Sequence, residues 1–326
     1  MTQPATGIPS TDLTRESSMT VLKAPSPVVA VRKSSLHRPQ TRAAWMLSAP
    51  FIVVFIAMLI VPLGYALWQS LFTTTLVGGT SFAGIANYLR AMGDPSFWAG
   101  VGRSVIFLCV QVPIMIAVAL LLALALDSGR LRGARFVRIA VFVPYAVPSV
   151  VATLMWGYLY GKDFGPLAQL AHALSLPSPD LLSSQNILGA MMNIVAWEFI
   201  GYNMIIMYSA LKAVPTDLYD AAEIDGAGQL RIAWSIKIPA IRNAILLTVV
   251  FSVIGSFQLF NEPALLAKVA PTAIGNDFTP NLYAYNVAFT QQDVSYAAAI
   301  AFLLGFIVMI ASYVVQTVGA RKERVR

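Results

Sequence analysis

Two groups of residues in this sequence are of types that do chemistry. One is a run of carboxylates in a polar loop: Asp217, Asp220, Glu223 and Asp225. The other is a set of polar side chains set into apolar runs, Glu198 and Tyr202 in one, Gln258, Asn261 and Glu262 in another. Covalent catalysis needs a nucleophile within reach of a base, and none can be assembled at those depths. Both histidines, His37 and His172, fall outside the apolar runs, and the chain has no His-Glu-x-x-His. The single cysteine, Cys109, cannot close an internal disulfide. With two histidines it cannot complete a Cys/His metal site. No Gly-x-x-x-x-Gly-Lys-Ser/Thr phosphate loop is present either, so any ATP must be held by another polypeptide. What remains is binding chemistry: hydrogen bonds, ring stacking and docking.

The elements that position these residues follow from composition. Of 326 residues, 57% are apolar and 11% charged. A water-soluble domain carries about 25% charged residues, so this is a chain surrounded by lipid. A helix needs about 20 residues to cross the hydrocarbon of a bilayer. Charges bracket uncharged runs at 104–126, 139–161, 243–261 and 294–320. Two more apolar runs lie at 44–72 and at 187–211, the latter broken only by Glu198. Six transmembrane helices are expected, near 44–72, 104–126, 139–161, 187–211, 243–262 and 294–320, in an all-α integral membrane protein.

Orientation comes from the basic residues. Eighteen of the 22 lysines and arginines lie in the N-terminal segment, in the loops after the second and fourth spans, and at the C-terminus. An excess of Lys and Arg marks the cytoplasmic side. An even number of spans puts both termini on one side, and both are basic, so the expectation is a multi-pass plasma-membrane protein with N and C termini in the cytoplasm. The net charge of +7 is spread over short juxtamembrane clusters rather than a continuous stripe, which argues against nucleic acid. Residues 1–43 hold no apolar run of signal-peptide length and are expected to be a disordered basic cytoplasmic tail, with 321–326 a short basic C-terminus.

The loop 214–242 is the most informative polar segment. Pro215 ends the preceding helix, Thr216 or Asp217 can cap a new one, and Asp217 and Asp220 fall in its first turn, where the helix dipole favours anions. Leu218, Ala221, Ala222 and Ile224 supply a small apolar face, and Gly226 and Gly228 stop the helix. A second helix can run from about Gln229 to near Pro239. So short a helix is marginal alone. Two readings stay open on these residues: docking into a groove of a soluble partner, or lying against the bilayer or under the chain's own bundle.

At membrane depth, Glu198 stands twelve residues into the fourth span and shares a helix face with Tyr202 at i, i+4. An ionised residue there costs about 2.5–3.5 kcal/mol to insert, so its presence asks for a reason. It can line a solute pathway, pair with a neighbouring subunit, or serve as a protonated structural hydrogen bond. Gln258 and Asn261 can line the same pathway, join helices, or mark a helix end. Pro113, Pro144 and Pro148 are expected to kink helices. Tyr158, Tyr160 and Trp68 are expected in the interfacial aromatic belt, and Cys109 in plain packing.

The loop resembles the signature of binding-protein-dependent ABC importer permeases, Glu-Ala-Ala, three residues, Gly, nine residues, Ile-x-Leu-Pro. Here it stands as Asp220-Ala221-Ala222, Gly226 and Ile236-Lys237-Ile238-Pro239, with the spacing kept. The longer stretch from Pro215 to Ala227 is similar to the sugar-transporting branch that includes the larger maltose permease and the glycerol-phosphate permease. Phe82-x-Gly-x-x-Asn87-Tyr88, Phe142-x-Pro-Tyr-x-x-Pro148 and Tyr296-Ala-Ala-Ala look similar too, so the resemblance covers about 44–318. It departs at Lys268-Val-Ala-Pro-Thr, where a Gly-Gly-Gly-Pro is common.

The resemblance implies a type I ABC importer permease (MetI-like) fold, a bacterial source, and one half of a translocation channel. Implied partners are a second homologous permease, two ATP-binding cassette ATPases and an extracytoplasmic substrate-binding protein, in a lipid bilayer. ATP and magnesium would sit on the ATPases, with no cofactor on this chain and no enzyme activity of its own. Coupling to the ATPases is implied for Asp217, Leu218, Tyr219, Asp220, Ala221, Ala222, Glu223, Asp225, Gly226, Ala227 and Pro239. By similarity to the maltose permease, Glu198, Phe199, Tyr202, Gln258 and Asn261 are expected to line the solute pathway. Amides, a phenol, a carboxylate and aromatic rings suit a polyhydroxylated sugar, a disaccharide or short oligosaccharide, over glycerol phosphate. The rival is an ion-coupled secondary transporter, which needs coupling carboxylates and usually shows internal repeats; no repeat is found, and Glu198 is the only mid-membrane charge.

Overall fold

Helices dominate because the apolar runs must satisfy their own backbone in lipid. The computed structural model describes residues 37–75 and 78–321, with side chains left out at 37–43, 75, 320 and 321. The expected tail therefore lies outside the described residues up to position 36, and its last stretch is helical backbone. The C-terminal 322–326 lies outside them too. The chain divides into two units at Ile56–Ala57. The first contains helix α1 (His37–Phe55).

The second unit opens in a π-turn at Ile56–Ile60, which begins one residue before the boundary, and continues into α2 (Val61–Ser70). An antiparallel hairpin follows, β1 (Phe72–Thr75) and β2 (Gly79–Phe82), in the register Phe72↔Phe82, Thr74↔Thr80. Gly79 takes φ +68°, a left-handed turn conformation that favours glycine. Helix α3 (Ala86–Met92) comes next. The Asn87 amide donates to the carbonyls of Ser70 at 2.9 Å and Phe72 at 2.8 Å, which seams α3 to the end of α2.

Helix α4 (Pro95–Asp127) is the longest among the described residues. Asp94 caps it by accepting from the Ser96 amide at 2.9 Å, and Pro95 stands at its first position, where the missing N–H costs nothing. The third expected span is a bent pair: α5 (Ala134–Phe142), a 3-10 turn at Val143–Ala146, and α6 (Ser149–Leu159), with a 99° bend. Pro148 forces the bend. It pushes Val147 to an extended ψ of 127° and cannot donate to a continuing helix. After α7 (Pro166–Ala173) comes α8 (Ile187–Lys212). The polar loop then forms α9 (Asp217–Ile224), α10 (Gln229–Ile232), a π-turn at Ala233–Lys237 and α11 (Ile238–Ala240). The fifth span is broken into α12 (Arg242–Phe257) and α13 (Asn261–Leu266); α14 (Pro280–Phe289) and α15 (Val294–Arg321) complete the chain.

Among the described residues, five helical segments are long and apolar enough to cross a membrane, or six if the bent pair counts as one span. The packing is that of a membrane bundle. Ile106, Ile114 and Leu121 on α4, and Phe306, Met309 and Tyr313 on α15, face outward. Inside, the interface between α4 and α8 uses small residues, Ala119 and Ala123 at 0% exposure, against Met204, Met207 and Leu211. Small residues let backbones approach where lipid gives no hydrophobic drive. Tyr160 is no belt residue. It is buried in the core, and Asn193 donates to its hydroxyl at 2.7 Å, whereas Tyr158 and Trp68 are exposed. Cys109 is exposed rather than packed within the chain.

Candidate functional site

The bend between α5 and α6 and the break between α12 and α13 meet around one cavity of about 330 Å³. Helix α8 gives it Val195, Glu198, Phe199, Tyr202 and Asn203, and α4 gives Gln111 and Met115. Ser149 enters from the start of α6; Ser252, Ser256 and the segment Gln258–Glu262 come from the broken fifth span. All five residues expected to line a pathway, Glu198, Phe199, Tyr202, Gln258 and Asn261, thus border the same space. Glu262, noted in the sequence beside Gln258 and Asn261 but not expected to line the pathway, borders it as well, as do Gln111, Ser149 and Asn203, which the sequence did not single out.

Local chemistry explains the break. Between Phe257 and Asn261 the helix lapses, so carbonyls at membrane depth need other partners. The buried Thr279 hydroxyl donates to the Leu259 carbonyl at 3.0 Å, and the Asn281 amide to that of Phe257 at 3.3 Å. The freed Asn261 amide donates to the Ser149 hydroxyl at 2.9 Å, tying the two broken spans together. Opposite them, Glu198 is 3% exposed, and neither carboxylate oxygen has a hydrogen-bond partner among the described residues. A buried acceptor left unmade is costly, so this position stands out from ordinary packing. Asn203, by contrast, is satisfied by the Phe199 carbonyl at 3.0 Å and takes a structural place.

The aromatic side of the site depends on a close backbone approach. A methyl group on Gly201 would overlap the Val141 carbonyl, so only glycine lets α5 lie against α8 here. That approach sets Tyr145, in the turn between the two prolines, against Phe199 edge-on at 5.8 Å. Tyr145 lies in Phe142-x-Pro-Tyr-x-x-Pro148, a stretch that carries the family resemblance and whose prolines are expected to kink the helix; the sequence pointed to no stacking role for the tyrosine.

At the end of the bundle carrying the 212–242 loop, α9 buries none of its residues. Leu218 is 51% exposed and Ile224 87%. Packing beneath the chain's own bundle is therefore not what its apolar face does. Thr216 precedes α9 but makes no side-chain capping bond. The helix ends in a Schellman arrangement: the Ala227 amide donates to Ala222 O at 2.9 Å, and the Gly226 amide to Glu223 O at 3.0 Å, with Gly226 at φ +80°. Asp217, Asp220, Glu223 and Asp225 ring this exposed helix, and Pro239 lies in α11, beyond the π-turn. Among the described residues no group of three or more His, Cys, Asp or Glu could hold a metal ion.

Comparison with known proteins bears on both regions. The profile of the family described as "Binding-protein-dependent transport system inner membrane component" matches residues 91–324. The lactose transport system permease protein LacF of Rhizobium radiobacter is 30% identical over 296 residues, covering 90% of this chain and 98% of that one. The trehalose transport system permease protein SugA of Mycobacterium tuberculosis is 28% identical, covering 93% and 97%. The sn-glycerol-3-phosphate transport system permease protein UgpA of Salmonella choleraesuis is 31% identical, covering 86% and 96%. Among solved structures, a chain of a bacterial ABC transporter that imports the acidic polysaccharide alginate superimposes with a TM-score of 0.75 at 16% identity, covering 87% and 98%. That likeness is one of fold.

Proposed function

The chain belongs to the family of binding-protein-dependent transport system inner membrane components, and from that membership we propose that it forms half of the channel of an ATP-driven importer for an uncharged saccharide. The cavity supports this reading. Amides, hydroxyls, two carboxylates and aromatic rings border it, with no Lys or Arg among the described residues that do so. Sugar hydroxyls bind amides and carboxylates, and the C–H faces of a sugar ring stack on aromatics. A phosphate or a uronic acid would want a cation, in which arginine excels. A disaccharide or short oligosaccharide therefore fits better than glycerol phosphate, the cargo named for one relative, or an acidic polysaccharide such as that of the alginate importer. The lactose and trehalose permeases are the relatives whose named cargo agrees.

In this reading Glu198, Gln258 and Asn261 take sugar hydroxyls, while Phe199 and Tyr202 stack on the ring. Residues 44–320 make the permease, with basic cytoplasmic extensions at 1–43 and 321–326 and both termini in the cytoplasm of a bacterium. Helix α9, with Asp217 to Ala227 and Pro239, docks on a separate ATPase subunit. A second permease completes the channel, two ATPases hold ATP and magnesium, and an extracytoplasmic binding protein delivers the sugar. ATP-driven closure of the ATPase pair displaces α9, and the bundle switches between its two openings as a rigid-body change.

The experiment is uptake of labelled lactose and trehalose into vesicles holding the assembled transporter, with competing solutes added. Neutral disaccharide or oligosaccharide should enter, and glycerol phosphate should not compete. Strong competition by glycerol phosphate with no sugar uptake would reject the saccharide reading.

A further inference from the structure

Three charged groups from distant parts of the sequence meet where the α9 loop joins the bundle. Asp127 is the last residue of α4, Lys212 the last of α8, and Lys237 closes the π-turn after α10. The Lys237 ammonium donates to Asp127 Oδ2 at 2.6 Å, and the Lys212 ammonium lies 3.0 Å from Oδ1. The Asp127 and Lys237 side chains are only 4% and 8% exposed. Tyr219, on α9 itself, holds its ring 4.5 Å from Lys237 Nζ. Burial, and then the nearby Asp127 charge, push the Tyr219 phenol above its ordinary pKa, so the ring stays neutral over the cation.

We propose that Asp127 is a positioning residue of the transport cycle, a single carboxylate that fastens the α9 loop to both helices walling the cavity. This rests on the reading of the chain as an ATP-driven permease. Helix α4 runs from Asp127 to Gln111 and Met115 at the cavity, and α8 from Lys212 to Asn203, Tyr202 and Glu198. No residue of α9 is buried, and the loop's apolar hold on the bundle lies beyond it, at Ile232 and Ile241, so α9 itself is tied in through Tyr219 and Lys237. The π-turn aims Lys237 inward while its neighbour Trp234 is left 76% exposed, the kind of local irregularity found at functional positions. The chain Tyr219–Lys237–Asp127 is therefore a contiguous path from the docking helix to α4, and Lys212 branches it to α8. Coupling needs such a path with discrete arrangements, and a desolvated ion pair holds one geometry where a solvated pair would not.

The test is the number of solute molecules moved per ATP hydrolysed by the reconstituted complex, with co-purification of the ATPase subunits as a control for assembly. In Asp127→Asn and in Lys237→Met the ATPases should stay bound and hydrolysis continue, while solute moved per ATP falls about tenfold, within the range of site-to-site couplings. Asp127→Glu should restore most of the ratio. Lys212→Met, which cuts the branch to α8 but leaves the Lys237 bond in place, should lower the ratio less, by about threefold. Should Asp127→Asn fail to fold, Lys237→Met against Lys212→Met decides alone. A wild-type ratio in Lys237→Met, or loss of the ATPases from either variant, would overturn the proposal, the second outcome making Asp127 an assembly residue. Solute movement by the wild type without nucleotide would instead reject the ATP-driven reading beneath it.

Discussion

Tyr145 stacks on Tyr202 with ring centroids 4.7 Å apart and planes inclined by 20°. The two rings come from different spans, and their contact fastens the bent third span to the helix that carries Glu198. Offset stacks of this kind contribute about 0.5–1.5 kcal/mol beyond the area they bury. Here the stack also fixes one rim of the cavity, because Tyr202 borders it and Tyr145 holds Tyr202 in place.

Gly201→Ala should disturb that contact. The added methyl overlaps the Val141 carbonyl, so α5 must move away from α8. Overpacking of this kind costs about 1–3 kcal/mol. Thermal unfolding of the detergent-solubilised protein should show a lowered Tm, and an unchanged Tm would mean that the approach is looser than described.

Glu198→Gln should alter sugar binding without unfolding the chain, since the amide keeps the shape of a group that no described residue satisfies. A hydrogen bond to a charged group is worth about 1.5–3 kcal/mol, so KM for uptake should rise about tenfold or more, or sugar preference should change. Unchanged kinetics with every sugar tested would make Glu198 a structural residue.

Much of this site was legible because helical periodicity fixes which residues share a face. Glu198 and Tyr202 at i, i+4 needed only that rule. Gln258 and Asn261 declared themselves as amides in an apolar run. Other residues were hidden for physical reasons. Gln111 is one amide among 23 uncharged residues, and its role depends on α4 packing against α8, a long-range contact that spacing does not encode. Ser149 matters only because Pro148 bends the chain by 99°, and a proline announces a bend without its angle. The hairpin at 72–82 carries β-branched threonines and a Gly-Gly turn, yet it lay beside so strong a helical signal that it went unread. The Asp127–Lys237 pair, 110 residues apart in sequence, had no local signal at all.

Gly226→Asp should leave the protein inserted but separate ATP hydrolysis from uptake. Gly226 holds φ +80°, where a side chain is strained by about 1 kcal/mol, and the new carboxylate would stand at the turn that follows α9. Hydrolysis in the assembled complex with uptake lost is the expected pattern; full uptake would remove α9 from the coupling role.

At the opposite end of the bundle, Asp94 accepts from the phenols of Tyr283 and Tyr296. Burial works to raise its pKa, but these bonds and the Ser96 and Phe97 amides outweigh burial and hold it below the usual carboxylate value. The same arrangement, after burial, pushes Tyr283 up to about 12. A depressed folded-state pKa means the stabilisation is complete above the unfolded carboxylate pKa of about 4 and is lost as pH falls through the folded value. Tm should therefore decline below about pH 4, and Asp94→Asn should lower Tm at neutral pH while flattening that acid limb. A variant with the same acid limb as wild type would place its origin elsewhere.

The central claim, that α9 is where a separate ATPase drives this chain, is tested most directly by vesicle uptake with components added one at a time. Labelled disaccharide should accumulate only when the second permease, the ATPase subunits, the binding protein and hydrolysable ATP are all present. Accumulation by the purified chain alone, with no nucleotide hydrolysed, would contradict it.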